Sequence, residues 1–154
     1  MRYTFTLILK KAMKNWKLIL IVLGFISCED DELRNRNPNL LDLGFAVELN
    51  TSLPQYSGLN FPGNTVEVSG FGNRGIVVYN SNNRDYFAFD LSDPNHTPNE
   101  CSRMEINGIE ASCPCPTDNN KYSLINGQPL EGNGEYGMKA YRVVRNGNII
   151  TVSN

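Results

Sequence analysis

Met104-Glu105-Ile106-Asn107-Gly108-Ile109-Glu110-Ala111 decides how the rest of this 154-residue chain is read. Apolar and acidic residues alternate on both sides of an Asn-Gly pair, which is the period of a half-buried strand and not of a helix. Asn-Gly suits a two-residue type I′ turn, because both central residues of that turn need positive φ. The spacing predicts a hairpin in which Ile106 faces Ile109. Val143-Val144-Arg145-Asn146-Gly147-Asn148-Ile149-Ile150 repeats the signal near the end of the chain.

Outward from these hairpins, short β-rich runs recur between turn residues, and from Leu40 onward no stretch has a 3.6-residue apolar period. Strands are predicted at 43–49, 65–68, 75–79, 86–89, 103–106, 109–112, 121–124, 138–145 and 148–152. Thirteen glycines and eight prolines among so many short strands point to a small antiparallel β-sandwich or barrel. Length allows one such domain, at 40–154.

The chain before residue 40 reads differently. Residues 1–27 carry five of the 14 basic residues (Arg2, Lys10, Lys11, Lys14, Lys17) and no acid. Removing those five leaves nine basic residues against 16 acidic ones, so the remainder is acidic and lacks the clustered Lys or Arg that nucleic acid requires. Lys14 and Lys17 precede a nine-residue apolar run, Leu18 to Ile26, far short of the ~20 residues of a spanning helix. This is a signal-peptide pattern, and a start at Met13 fits it as well as a start at Met1. Phe25-Ile26-Ser27-Cys28 resembles a bacterial lipobox, which makes Cys28 the lipidation site and the membrane a partner through its anchor. The acidic run Glu29-Asp30-Asp31-Glu32 resembles the tag of surface-exposed Bacteroidetes-type lipoproteins, and it also suits a plain solvated tether over 28–39. Either way the expected location is extracytoplasmic, on a bacterial and by expectation outer membrane, where disulfides persist.

The order of the second half carries a resemblance. A strand, Tyr86-Phe87-Ala88-Phe89-Asp90, runs into the loop Ser92-Asp93-Pro94-Asn95-His96, then the tight hairpin, then a second loop, Cys113-Pro114-Cys115-Pro116-Thr117-Asp118. Tyr122 and Asn126-Gly127-Gln128-Pro129-Leu130-Glu131-Gly132 follow. This resembles a Rieske iron–sulfur domain, in which a C-P-H loop, a hairpin and a C-P-x-H loop precede an aromatic and a G-x-P-L-x-G segment. Cys115-Pro116 fits the second C-P, Tyr122 the aromatic, and Gly127 and Pro129 the G-x-P. The resemblance implies an all-β, Rieske-like fold with a two-loop tip subdomain.

The ligand positions depart from that family. A Rieske 2Fe-2S centre takes two Cys on one iron and two His on the other. Aligned on Phe89-Asp90, Asp93 stands at the first-loop Cys position and Asn95 at the His position, with His96 next to it. In the second loop Cys115 is present, but Asp118 replaces the His. His96 is the single histidine of the chain, so the standard centre is not expected and electron transfer is not inherited from the fold. The reading is therefore a module with no resident cofactor. The alternative is an altered 2Fe-2S cluster or a zinc site drawing on Asp93, His96, Cys115 and Asp118, with Cys101 or Cys113 as further donors.

Cys101, Cys113 and Cys115 are disulfide candidates. The expected hairpin register sets Cys101 opposite Pro114, beside both other cysteines, and respiratory members of the resembled family link their two loops by a comparable bridge. Pairing of Cys101 with Cys113 or with Cys115 stays open, closing a loop of 12 or 14 residues worth ~3 kcal/mol. A Cys113–Cys115 ring around Pro114 is too short. The third thiol then sits in the loop facing His96, as a buried inert cysteine, a redox-active thiol, an intermolecular partner or half of a Cys–His pair. Asp90 with Asp93, and Glu131 with Glu135, read as solvated loop charges. No catalytic residue is assigned, and no nucleophile-elbow, metalloprotease or nucleotide motif occurs. The expectation is a non-catalytic structural or binding module with an unidentified protein or small-molecule partner, the alternative being a redox protein with an altered metal site.

Overall fold

The computed structural model describes residues 37–154. The signal segment, Cys28 and the acidic run at 29–32 lie outside the described residues. Among the described residues no helix is long and apolar enough to cross a membrane.

Ten strands form two antiparallel sheets. The larger is built from β1 (Ala46–Asn50), β2 (Thr65–Val68), β3 (Ile76–Asn80), β4 (Tyr86–Asp90), β9 (Ala140–Asn146) and β10 (Ile149–Ser153), in the order β1-β10-β9-β4-β3-β2. The smaller contains β5 (Glu105–Asn107), β6 (Glu110–Ser112), β7 (Lys121–Ser123) and β8 (Pro129–Glu131), in sequence order. The smaller sheet and its two flanking loops are one insertion between β4 and β9. This is the all-β, Rieske-like organisation with a two-loop tip.

β3 shows why the tip stays where it is. All five of its residues, Ile76-Val77-Val78-Tyr79-Asn80, are buried, which is the signature of a strand covered on both faces. Period-2 alternation sends Ile76 and Val78 into one core with Leu49, Leu59, Ala88, Ile150 and Val152. Val77 and Tyr79 face the other core with Phe89 of β4, and Leu91, Met104, Ala111, Tyr122 and Leu124 come from the tip side. Each fully buried aliphatic or aromatic side chain there contributes about 1.5–3 kcal/mol. Gly127 completes the contact: its φ is +71°, and a Cβ would stand 2.7 Å from Phe89 Cε1.

Both hairpins form, one residue off the expected register on each arm. Asn107 faces Glu110 and Ile106 faces Ala111, while Asn146 faces Ile149. The turn residues are thus Gly108-Ile109 and Gly147-Asn148. Gly108 and Gly147 have φ of +62° and +58°, whereas Ile109 and Asn148 are absent from the positive-φ residues. One positive φ at the first central position is the type II′ pattern, which needs glycine there and not Asn before it. Faces are unchanged by this correction, because each partner moves by two. Carried onward, the observed register sets Cys101 opposite Pro116 and not Pro114, beside Cys115.

Two elements escaped the sequence pattern. A 3-10 helix at Pro54–Asn60 plugs the larger sheet with Leu59, which is fully buried. β8 is three residues long and begins with proline, as only an edge strand tolerates. Asn37 and Asn39, placed by composition in the tether, both donate side-chain amides to Pro94 O in the first tip loop.

Candidate metal centre

The first tip loop leaves β4 at Asp90. An isolated bridge between Ser92 and Arg103 closes its base. Inside it, Asp93 Oδ1 accepts from the Asn95 backbone N–H at 2.8 Å, an Asx turn that the Asp-Pro-Asn sequence favours. The second loop runs from β6 to β7, and Cys113 N donates to Asn120 O across its neck at 2.9 Å. A Cys101–Cys115 disulfide, with Cα atoms 5.0 Å apart, joins the two loops. It resolves the open pairing and commits the Cys115 sulfur, so Cys115 offers no thiolate while the bridge stands.

Cys113 is the free cysteine among the described residues, and it is buried. His96 Nε2 lies 3.3 Å from its Sγ. The same nitrogen lies 3.5 Å from Asp93 Oδ2 and 3.4 Å from Asp118 Oδ2. Three donors of two chemical kinds, a thiol and two carboxylates, therefore lie around one imidazole nitrogen. The His96, Cys113, Cys115 and Asp118 donor atoms all fall within 4.8 Å of one another. Asn95, aligned with a ligand position, is not among them. Its amide donates to Tyr122 Oη and to Tyr136 O, both at 2.7 Å, and so ties the first loop to the segment between β8 and β9.

Asp93 was read as a solvated loop charge, yet it is fully buried. Its Oδ1 also accepts from Tyr122 Oη at 2.8 Å, and its Oδ2 from Asn120 Nδ2 at 3.0 Å. Burial pushes its carboxyl upward, but these bonds from Asn120, the Asn95 N–H and Tyr122 outweigh burial and hold it below the ordinary range. Asp90, also read as solvated, is fully buried as well. Glu131 instead meets Lys121 at 2.9 Å on the surface. Burial pushes the Cys113 thiol up to about 12, and the Asp93 and Asp118 carboxylates push the same way. Near neutral pH the thiol is protonated and a poor nucleophile, which argues against a Cys–His thiol site. His96 and Asp118 keep 23% and 21% of their side-chain surface, so the cluster opens to solvent on that side. The opening is a cleft of about 500 Å³ also lined by Asn119, Asn133, Glu135 and Tyr136.

The donor set does not fit a standard 2Fe-2S centre, which takes two thiolates and two imidazoles. With Cys101 and Cys115 bridged, the tip offers one thiol, one imidazole and the Asp93 and Asp118 carboxylates. The sequence makes Cys115 a ligand candidate with Cys113 as a further donor, and leaves all three cysteines as disulfide candidates. The structure commits Cys115 to the bridge and leaves the Cys113 thiol beside His96, a choice that the Cys-Pro-Cys sequence leaves open. Asn120, which ties the second loop to Asp93, had no signal at all.

No protein-family model matches the chain, and no curated protein is significantly similar to it. Among solved structures, the chain is similar to the ferredoxin of carbazole 1,9a-dioxygenase from Nocardioides aromaticivorans IC177, at 18% identity over 72% of this chain and 97% of that one, TM-score 0.45. It is similar to a chain in the complex of reduced oxygenase and oxidized ferredoxin in carbazole 1,9a-dioxygenase, at 14% identity over 73% and 94%, TM-score 0.47. It is also similar to the terminal oxygenase of carbazole 1,9a-dioxygenase from Novosphingobium sp. KA1, at 13% identity over 75% of this chain and 31% of that one, TM-score 0.46. At these identities and scores the likenesses bear on no point of chemistry.

Proposed function

We propose that this chain is a lipid-anchored, extracytoplasmic Rieske-like module that works through its tip, where the two disulfide-linked loops hold a metal in an altered site. One observation carries the reading: a single imidazole nitrogen stands 3.3–3.5 Å from a buried thiol, a buried carboxylate and a half-exposed carboxylate. An imidazole, a thiol and two carboxylates brought together by separate loops form a donor set of the kind that holds a metal ion. The Cys28 anchor and the acidic tether support placement at a membrane surface, with no nucleic-acid partner and no catalytic residue. Electron transfer follows only if the bound metal is redox-active.

The test is the native mass and absorption spectrum of the processed protein, purified from an oxidising compartment with iron and zinc supplied. Metal retained in the folded protein is expected. A metal-free mass, lighter than the reduced sequence only by the two hydrogens of one disulfide, would return the tip to a structural or partner-binding role.

A further inference from the structure

We infer that the tip holds one divalent transition-metal ion of the zinc type, bound by Asp93 Oδ2, His96 Nε2, Cys113 Sγ and Asp118 Oδ2, in place of a two-iron cluster. This rests on the metal-holding reading above and names the ion, its number and its ligands.

Geometry comes first. Zinc bonds of about 2.0–2.1 Å to N and O and about 2.3 Å to S, spread tetrahedrally, put N and O donors about 3.4 Å apart and N and S donors about 3.6 Å apart. The observed separations from His96 Nε2 are 3.5 Å to Asp93, 3.4 Å to Asp118 and 3.3 Å to Cys113. All three agree with that spacing to within about 0.3 Å, and the His96, Cys113 and Asp118 donors lie within 4.8 Å of one another.

Ligand chemistry agrees. One thiolate, one imidazole and two carboxylates form a mixed set suited to a borderline cation. On binding, the S–H bond of Cys113 breaks, the sulfur keeps the electron pair and bonds the metal, and the proton leaves to water; no oxidant or reductant is needed. The Cys101–Cys115 bridge removes the second thiolate that a cluster would need, while fixing both ligand loops.

The outer partners of Asp93 supply what a ligand carboxylate requires. Tyr122 Oη and the Asn95 N–H occupy Oδ1, and Asn120 holds Oδ2, so the carboxylate is oriented before any ion arrives. His96 and Asp118 line the cleft, which gives an ion a path to the buried pair.

The test uses the processed, oxidised protein freed of metal with a chelator and titrated with CoCl2, then with ZnCl2 in competition. The expected result is one Co²⁺ per chain, with a thiolate-to-cobalt band in the near ultraviolet and visible bands of tetrahedral intensity, all displaced by Zn²⁺. Cys113→Ser should abolish the ultraviolet band and weaken binding beyond the about 10–100-fold typical of outer partners, while Asp93→Asn and His96→Ala each weaken it at least about tenfold. Circular dichroism of each variant, and Cys113→Ala as a second replacement, separate lost ligation from lost folding. Binding of two irons with sulfide, or cobalt binding unchanged in Cys113→Ser, would overturn this assignment and leave the metal-holding tip standing. No uptake of any metal by the folded protein would overturn both.

Discussion

Asp90 and Asp93 are three residues apart, both fully buried, and each receives a tyrosine hydroxyl. Their surroundings differ in what is left over. Asp90 Oδ2 accepts from the Asn73 N–H at 2.7 Å, Asn73 Nδ2 at 2.9 Å and Tyr141 Oη at 2.6 Å, and its Oδ1 accepts from the Ser92 N–H at 2.7 Å. Gly72, at φ +65°, closes over it so tightly that a Cβ would lie 2.6 Å from Oδ2. Every direction around Asp90 ends in a donor or in backbone. Around Asp93 the donors stop short, and Oδ2 still faces His96 and the Cys113 thiol. A buried carboxylate with a sealed shell fixes the junction of strand and loop. A buried carboxylate with one side turned to an imidazole and a thiol has capacity to spare for a ligand.

The sharpest way to break this contrast is Asp90→Ala. Four donors lose their acceptor in a dry site, and urea denaturation should show a loss of about 3–5 kcal/mol. A loss under about 1 kcal/mol would mean that the sealed shell is not what holds the junction. Next in size is the double variant Cys101→Ser with Cys115→Ser. Releasing a loop with a sequence separation of 14 should cost about 3 kcal/mol, and cobalt affinity should fall as the loops loosen. Gly127→Ala comes third: it forces a left-handed φ on alanine and drives its Cβ into the Phe89 ring, for about 1–3 kcal/mol by thermal melting. The smallest effects are the most telling. Tyr141→Phe and Tyr122→Phe should each cost about 1 kcal/mol of stability, yet only Tyr122→Phe should weaken cobalt binding, by about tenfold or more. Equal cobalt affinity in the two would erase the distinction between the aspartates.

Much of the architecture was legible because it rests on local signals. Alternation around Asn107-Gly108 and Asn146-Gly147 marked both hairpins, and the Ile76-Val77-Val78-Tyr79 run marked the doubly covered strand. The turn register was misjudged because Asn-Gly favours type I′, while these strands close with a single positive φ at glycine. The 3-10 helix was invisible because one buried residue, Leu59, makes no period. The candidate centre was half legible. Asp93 and Asp118 stood out from their alignment with ligand positions and His96 from its place beside one, but the choice between Cys113 and Cys115 depends on which of two buried sulfurs Cys101 reaches. Nothing local encodes that. The burial of Asp90 and Asp93 was hidden for the same reason, since Asn73, Asn120, Tyr122 and Tyr141 are brought to them from 17 to 51 residues away.

The Cys101–Cys115 bridge has one more consequence. It turns residues 101–115, with β5 and β6 inside, into a covalent macrocycle whose far end is the exposed Gly108-Ile109 turn. In the extracytoplasmic placement proposed above, that turn would be an accessible place for a protease to cut. A single scission there opens the ring but parts nothing: the two new ends remain on one molecule, and both loops stay joined at the end of the hairpin where Asp93, His96, Cys113 and Asp118 meet.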